Sequence, residues 1–128
     1  MAVLVVEDDP FLRLIEVVLD PRVSAERVAA FADFFAHEVA DFDGWRQHVR
    51  VAAPDLVPSE VRLMSHLDLA GADAAVVEAL VVGQAELAAA DRLRAIQKYG
   101  VVTRNIDLDA CRARGIQVCT LRRRANVA

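Results

Sequence analysis

Short apolar runs alternating with stretches of helical periodicity constrain this chain more than any other feature. The first, Ala2 to Val6, is continuous and β-branched at Val3, Val5 and Val6, the pattern of a strand covered on both faces in a parallel sheet. Further strands are predicted at Glu60–Met64, Ala74–Glu78, Leu93–Gln97 and Gln117–Cys119. Between the first two, Phe11, Leu12, Leu14, Ile15, Val18 and Leu19 recur at helical spacing. Asp8 or Asp9 is placed to cap that helix, with Pro10 in its first turn, and Asp20-Pro21 ends it. A second helix opens at Ser24 and carries Val28, Phe31, Ala32 and Phe35 on one stripe. Asp41-Phe-Asp-Gly44 breaks the pattern, and Trp45, Val49 and Ala52 predict a third, short helix. Pro54 and Pro58 bracket a loop, and Gln84–Ala90 and Asp107–Arg114 are further helices, the last stopped by Gly115. Such alternation implies an α/β fold, a flavodoxin-like doubly wound parallel sheet of about five strands in a single domain. One join does not fit. The stretch between Met64 and Ala74 is shorter than a parallel crossover normally needs. Either Glu60–Met64 is not a strand, or Ser65 to Ala72 makes one tight turn of helix.

A length of 128 residues suits one domain. The 55% apolar content rests on Ala and Val more than on aromatics, which predicts a tightly packed, small-residue core. Charge is uneven: residues 1–90 carry 16 acids and 6 bases, whereas residues 91–128 carry 3 acids and 9 bases. That asymmetry marks either an anion-binding end or a solvated helix face with loop arginines. Few aromatics and no recognised motif argue against nucleic acid as a partner. No apolar run approaches a membrane span, and Glu7, Asp8 and Asp9 interrupt the N-terminal run too early for a signal peptide. A cytoplasmic location is expected. Cys111 and Cys119 have no neighbouring ligands for a metal site; they are read as reduced core residues, with a disulfide as the alternative. His37, His48 and His66 have no matched partners and are read as surface or core residues.

Ligands of open α/β sheets bind beyond the carboxyl ends of the strands. The turn at Gly100, after the strand Leu93–Gln97, lies at such an end. Lys98, the only lysine in the chain, stands two residues before it. It is placed either to pair with an anion in the cleft or to snorkel at the strand end. Tyr99 alternates with Lys98, so only one of them faces the cleft if the strand continues that far.

Two resemblances share this fold. Val3-Leu-Val-Val-Glu-Asp-Asp-Pro-Phe-Leu looks like the opening of a response-regulator receiver domain, in which Asp8 and Asp9 would hold magnesium. Pro54-Asp-Leu-Val-Pro-Ser-Glu60 would then be the receiver's third strand. Glu60 would stand at the phosphate-accepting position, Pro58 would fall inside a central strand, and Val77-Glu78-Ala79 lacks the receiver's Ser or Thr. This resemblance implies a non-catalytic signalling or protein-interaction module.

The second resemblance covers residues 72–126. Ala72-Asp-Ala-Ala-Val-Val, Glu86-Leu-Ala-Ala-Ala-Asp-Arg-Leu-Arg-Ala-Ile-Gln-Lys-Tyr-Gly-Val and Asn105-Ile-Asp-Leu-Asp-Ala-Cys-Arg-Ala-Arg-Gly-Ile-Gln-Val-Cys look like the substrate-binding domain of the D-isomer-specific 2-hydroxyacid dehydrogenases. Phosphoglycerate dehydrogenase is one member of that family. The resemblance implies NAD(P)-dependent interconversion of a 2-keto acid and a D-2-hydroxy acid. It also implies a substrate carboxylate bound by the backbone N–H groups of Val101 and Val102 beside Gly100, a nest of the kind that binds anions. Val102 and Arg104 stand where the family has Gly and Asp. Val102 disfavours a positive φ, and Arg104 supplies a charged clamp. Glu78 stands where many relatives have a basic residue, and would repel a carboxylate unless it pairs with Lys98 or Arg104. Arg122, Arg123 and Arg124 are expected either to extend a basic rim or to be solvated loop residues.

By the same resemblance, residues 1–121 form the substrate-binding domain without its returning C-terminal helix, and residues 122–128 begin the hinge toward a nucleotide-binding domain. Exposed apolar surface and self-association are then expected. The chain contains no G-x-G-x-x-G. NAD or NADP would be bound mainly by the other domain, which would also supply the catalytic Arg, Glu and His. The chain by itself is therefore expected to be inactive.

Overall fold

The computed structural model describes residues 2–52 and 57–121. Five strands, β1 (Val3–Glu7), β2 (Glu60–Met64), β3 (Ala74–Val77), β4 (Ala95–Lys98) and β5 (Gln117–Cys119), form one sheet in the order β2-β1-β3-β4-β5. Every pairing is parallel. This is the flavodoxin-like order, so the expected α/β single-domain fold is present.

The alternation of side chains along each strand explains its two apolar layers. Val5, Ala75, Val77 and Ile96 point to one face, where they pack with Leu87, Ala110 and Cys111. Those three residues come from α4 (Gln84–Ala88) and α5 (Leu108–Ala113). Leu4, Val6, Leu63 and Val76 point to the other face and meet Leu12, Ile15 and Leu19 at and along α1 (Arg13–Leu19). Helices α2 (Ala25–Phe34) and α3 (Phe42–Ala52) pack against α1 on its outer side. Two buried polar side chains fasten this layer. Arg46 of α3 donates from Nε to the Val17 carbonyl at 2.6 Å. Asp20, just past α1, accepts from Val61 N on β2 at 3.3 Å.

Local chemistry sets the ends of several elements. Ser24 is the N-cap of α2 and accepts from Arg27 N. Asp107 caps α5 by accepting from Ala110 N at 3.0 Å. Gly115, at φ 71°, closes α5. Its N–H reaches the Arg112 carbonyl while Ile116 N–H reaches Cys111, which is a Schellman ending. Neither Asp8 nor Asp9 caps α1, because the helix starts later than its apolar pattern suggests and Leu12 occupies the cap position. Asp9 instead accepts from Phe11 N, and Asp8 pairs with Arg13 at 2.6 Å. Helix α4 ends at Ala88, two residues before the apolar pattern stops.

The short join between β2 and β3 is resolved by a real strand and no helix. Residues 65–73 cross β1 as turns and extended chain. A chain of that length reaches roughly 30 Å when extended. The span to cover is two ladder spacings, about 10 Å, plus a strand length of about 17 Å. Leu69 and Ala72 are fully buried on the way, so the loop itself takes the part of a crossover helix in the core.

Cys111 is buried under α5, and Cys119 is half-buried on the opposite face of the sheet; both are free thiols. Burial pushes the Cys111 thiol above its ordinary pKa. The three histidines are exposed. Among the described residues, no helix is long and apolar enough to cross a membrane, and no group of three or more His, Cys, Asp or Glu side chains is placed to hold a metal ion. Pro54, Arg122–Arg124 and the hinge expected at 122–128 lie outside the described residues.

Asp73 fixes the start of the sheet. Its carboxylate accepts from Val3 N at 2.8 Å and meets Arg92 at 3.2 Å. The Val3 N–H, ahead of the Arg92 charge, holds its pKa below the ordinary 3.8. A depressed folded pKa stabilises the protein fully above the unfolded value, and that contribution disappears as pH falls through the folded one. Asp73→Asn should therefore lower Tm at pH 7 by about 4 °C and flatten the loss of stability below about pH 4. Thermal melts from pH 7 down to pH 2 check both.

Candidate functional site

At the carboxyl edge of the sheet, a cleft of about 380 Å³ opens between the ends of β3 and β4. Glu78, Lys98, Gly100, Val101, Val102 and Arg104 all line it, joined by Ala79, Tyr99 and Asn105. Strand β4 stops at Lys98, and Gly100 turns the chain at φ 151°. The strict alternation expected of Lys98 and Tyr99 therefore ends there, and both residues border the cleft.

The turn leaves its donors open. Among the described residues, the N–H groups of Gly100, Val101 and Val102 have no protein acceptor, and Val101 and Val102 are exposed. No residue other than glycine has a positive φ. Val102 thus keeps a negative φ, and the positive φ falls on Gly100. Arg104 is exposed at the rim and forms no ion pair among the described residues. Backbone donors without an internal acceptor and one guanidinium thus belong to residues lining the same cleft, a combination that suits a carboxylate.

Lys98 plays a different part from that of a free cleft charge. It is 7% exposed; its Nζ donates to the Glu78 carbonyl and, at 3.0 Å, to Asn105 Oδ1. Asn105 Nδ2 in turn donates to the Glu78 and Leu80 carbonyls at 3.2 and 2.8 Å. Backbone pairing of residues 105–107 with Val82 holds the asparagine in place. Lys98 and Asn105 together staple the segment after β3 to the segment after Gly100, so the lysine shapes the cleft wall while its charge stays close behind it. The pairing of Glu78 with Lys98 or Arg104 does not occur: among the described residues the Glu78 carboxylate forms no ion pair, and its Oε2 is buried without a hydrogen-bond partner.

A second carboxylate lies behind the same wall. Glu7 ends β1 and is 7% exposed. Its Oε1 accepts from the N–H groups of Glu78, Ala79 and Leu80 at 2.9, 2.9 and 2.8 Å. Three successive donors converging on one oxygen form an anion nest, here filled by the protein's own side chain. The crevice between β1 and β3 is the topological switch point, the default ligand position in this fold. With Glu7 in place, the open donors are those of the next crevice, at Gly100. Sequence reasoning assigned no role to Glu7, whose partners lie more than 70 positions away. Asn105 carried a signal only as part of a family motif.

The receiver-like constellation is not assembled. Val3 is the register partner of Glu60, and Glu7 that of Met64. Glu60 therefore sits at the amino end of β2, about 17 Å along the sheet from Asp8, and bonds Arg22 and Arg62. Pro58 precedes the strand.

A family model described as D-isomer specific 2-hydroxyacid dehydrogenase, catalytic domain, matches residues 17–123. The chain belongs to this family. The match spans most of the sequence and takes in every residue lining the cleft, while Glu7 and the rest of β1 precede it. No curated protein matches the chain significantly. In this member of an oxidoreductase family, the carboxyl-edge cleft is the candidate site.

Removing the Glu7 carboxylate orphans three backbone donors at once. Glu7→Ala should cost about 3 kcal/mol in urea unfolding, whereas Glu7→Gln, which keeps an acceptor, should cost about 1 kcal/mol.

Proposed function

We propose that this chain is the substrate-binding part of an NAD(P)-dependent D-2-hydroxyacid dehydrogenase, and that its cleft holds the carboxylate of a small 2-keto or D-2-hydroxy acid. The observation that carries the reading is the pair of open N–H groups at Val101 and Val102, with Arg104 beside them, in a chain of this family. The chemistry divides accordingly. Nicotinamide, when bound, supplies or takes the hydride. The residues of this chain bind and orient: two amides and a guanidinium fix the carboxylate end, and the Lys98–Asn105 staple keeps the amides at a constant distance from Glu78. Proton transfer needs a side chain at the 2-oxygen. No histidine of this chain is near the cleft, and the sequence contains no G-x-G-x-x-G to hold a dinucleotide. Catalysis thus depends on groups the chain does not carry. The acid is its small-molecule partner, and the dinucleotide is held elsewhere.

Titration of the 15N-labelled chain with pyruvate should move the Val101 and Val102 amide resonances most. Arg104→Gln should weaken the binding about tenfold. The chain mixed with NADH and pyruvate should oxidise no NADH. Amide shifts that spare residues 100–104, or turnover by the chain alone, would count against the reading.

A further inference from the structure

The side chains lining the cleft divide into those spent on the protein itself and those left to a ligand. Lys98 is buried, with its amine on the Glu78 carbonyl and Asn105 Oδ1. Asn105 gives its own side-chain N–H groups to the Glu78 and Leu80 carbonyls. Glu78 Oε2 is enclosed in the wall, out of a ligand's reach. The exposed lining residues are Ala79, Tyr99, Val101, Val102 and Arg104. Four of these five are aliphatic or aromatic, and Arg104 is the one exposed cation among them. A single exposed apolar residue is ordinary on a protein surface. Four along one cleft form a patch, and apolar patches rimmed by polar groups mark ligand grooves.

The open amides and the apolar wall belong to the same residues. An oxygen hydrogen-bonded to the Val101 and Val102 N–H groups lies within roughly 5 Å of both β-carbons, by covalent and hydrogen-bond geometry alone. Val102 is 52% exposed, more than Val101 or Tyr99. It therefore offers both a backbone donor and an uncovered isopropyl group.

Resting on the function proposed above, we propose that the cleft selects 2-keto or D-2-hydroxy acids with an apolar side chain, and that Val102 is the residue that sets this preference. The acid's carboxylate takes the Val101 and Val102 amides and Arg104, and its carbon chain lies on the valine side chains. Each methylene so covered leaves water favourably. A second carboxylate at the far end loses hydration and finds no partner. Arg104 is already engaged, and the Lys98 charge is held behind the wall.

D-lactate, D-2-hydroxypentanoate and D-2-hydroxyglutarate test it on the chain labelled with 15N and at the valine methyls. The last two have equal carbon counts and differ only at the end, methyl against carboxylate. D-2-hydroxypentanoate should bind about tenfold more tightly than either of the others. It should also shift the Val102 methyl resonances, which D-lactate leaves in place. Val102→Thr keeps the β-branch and the N–H, and should reduce the preference for D-2-hydroxypentanoate over D-lactate to about threefold. Three acids that bind alike while shifting the Val101 and Val102 amides would overturn the selectivity and leave the carboxylate site standing. Tightest binding by D-2-hydroxyglutarate, or a preference unchanged in Val102→Thr, would overturn it as well. Amides that move with none of the acids would overturn both.

Discussion

The carboxylate of Glu7, with three N–H groups converging on it, holds the functional edge of this protein together. The strand end at Val77 leads straight into a segment whose first three amides would otherwise point into the crevice between β1 and β3. Glu7 gathers them and so fixes the direction of the backbone carbonyl of Glu78. That carbonyl is the anchor for Lys98 and Asn105, which come from either side of the Gly100 turn. Displacement of Glu7 would release the anchor, and the walls of the cleft would lose their common reference. Charge-assisted bonds of this type are stronger than neutral ones and fix geometry as well as energy.

The cleft is thus built from leftovers of the sheet. Parallel strands end with unpaired amides at their carboxyl edge, and each crevice must satisfy its own or offer them to a ligand. One crevice is closed internally by an acidic side chain. The neighbouring crevice keeps its amides open where Gly100 turns the chain away at a positive φ and Val102 follows without one. A valine at a position where the family has glycine is compatible with an open turn here, since the unusual backbone angle falls two residues earlier.

Much of this was legible in the sequence, for reasons of period and composition. The β-branched run ending at Val6 and the small-residue run Ala74–Val77 have few alternatives to buried parallel strands. Ser24, Asp107 and Gly115 announce helix ends through their own local bonds. The join between β2 and β3 misled because crossover length is a habit of βαβ units, whereas the physical requirement is only that the loop span the distance and bury something, which Leu69 does. Long-range polar bonds left no trace. Nothing around Glu7 distinguishes it from a solvated strand end, and Lys98 looks like a ligand-facing charge until its contact with Asn105 is seen. Glu78 was noticed for its charge, but its lack of a partner is a property of packing alone.

Lys98 has one further consequence. It is the only lysine in the chain, and folding encloses its amine between a backbone carbonyl and an amide oxygen. Every other cationic side chain in the sequence is an arginine or a histidine, neither of which lysine-modifying enzymes use. Folded, the protein offers such chemistry no side-chain amine at its surface; unfolded, it offers one, from the wall of its own binding site. Reactivity of the side-chain amine in this molecule reports whether the cleft is intact.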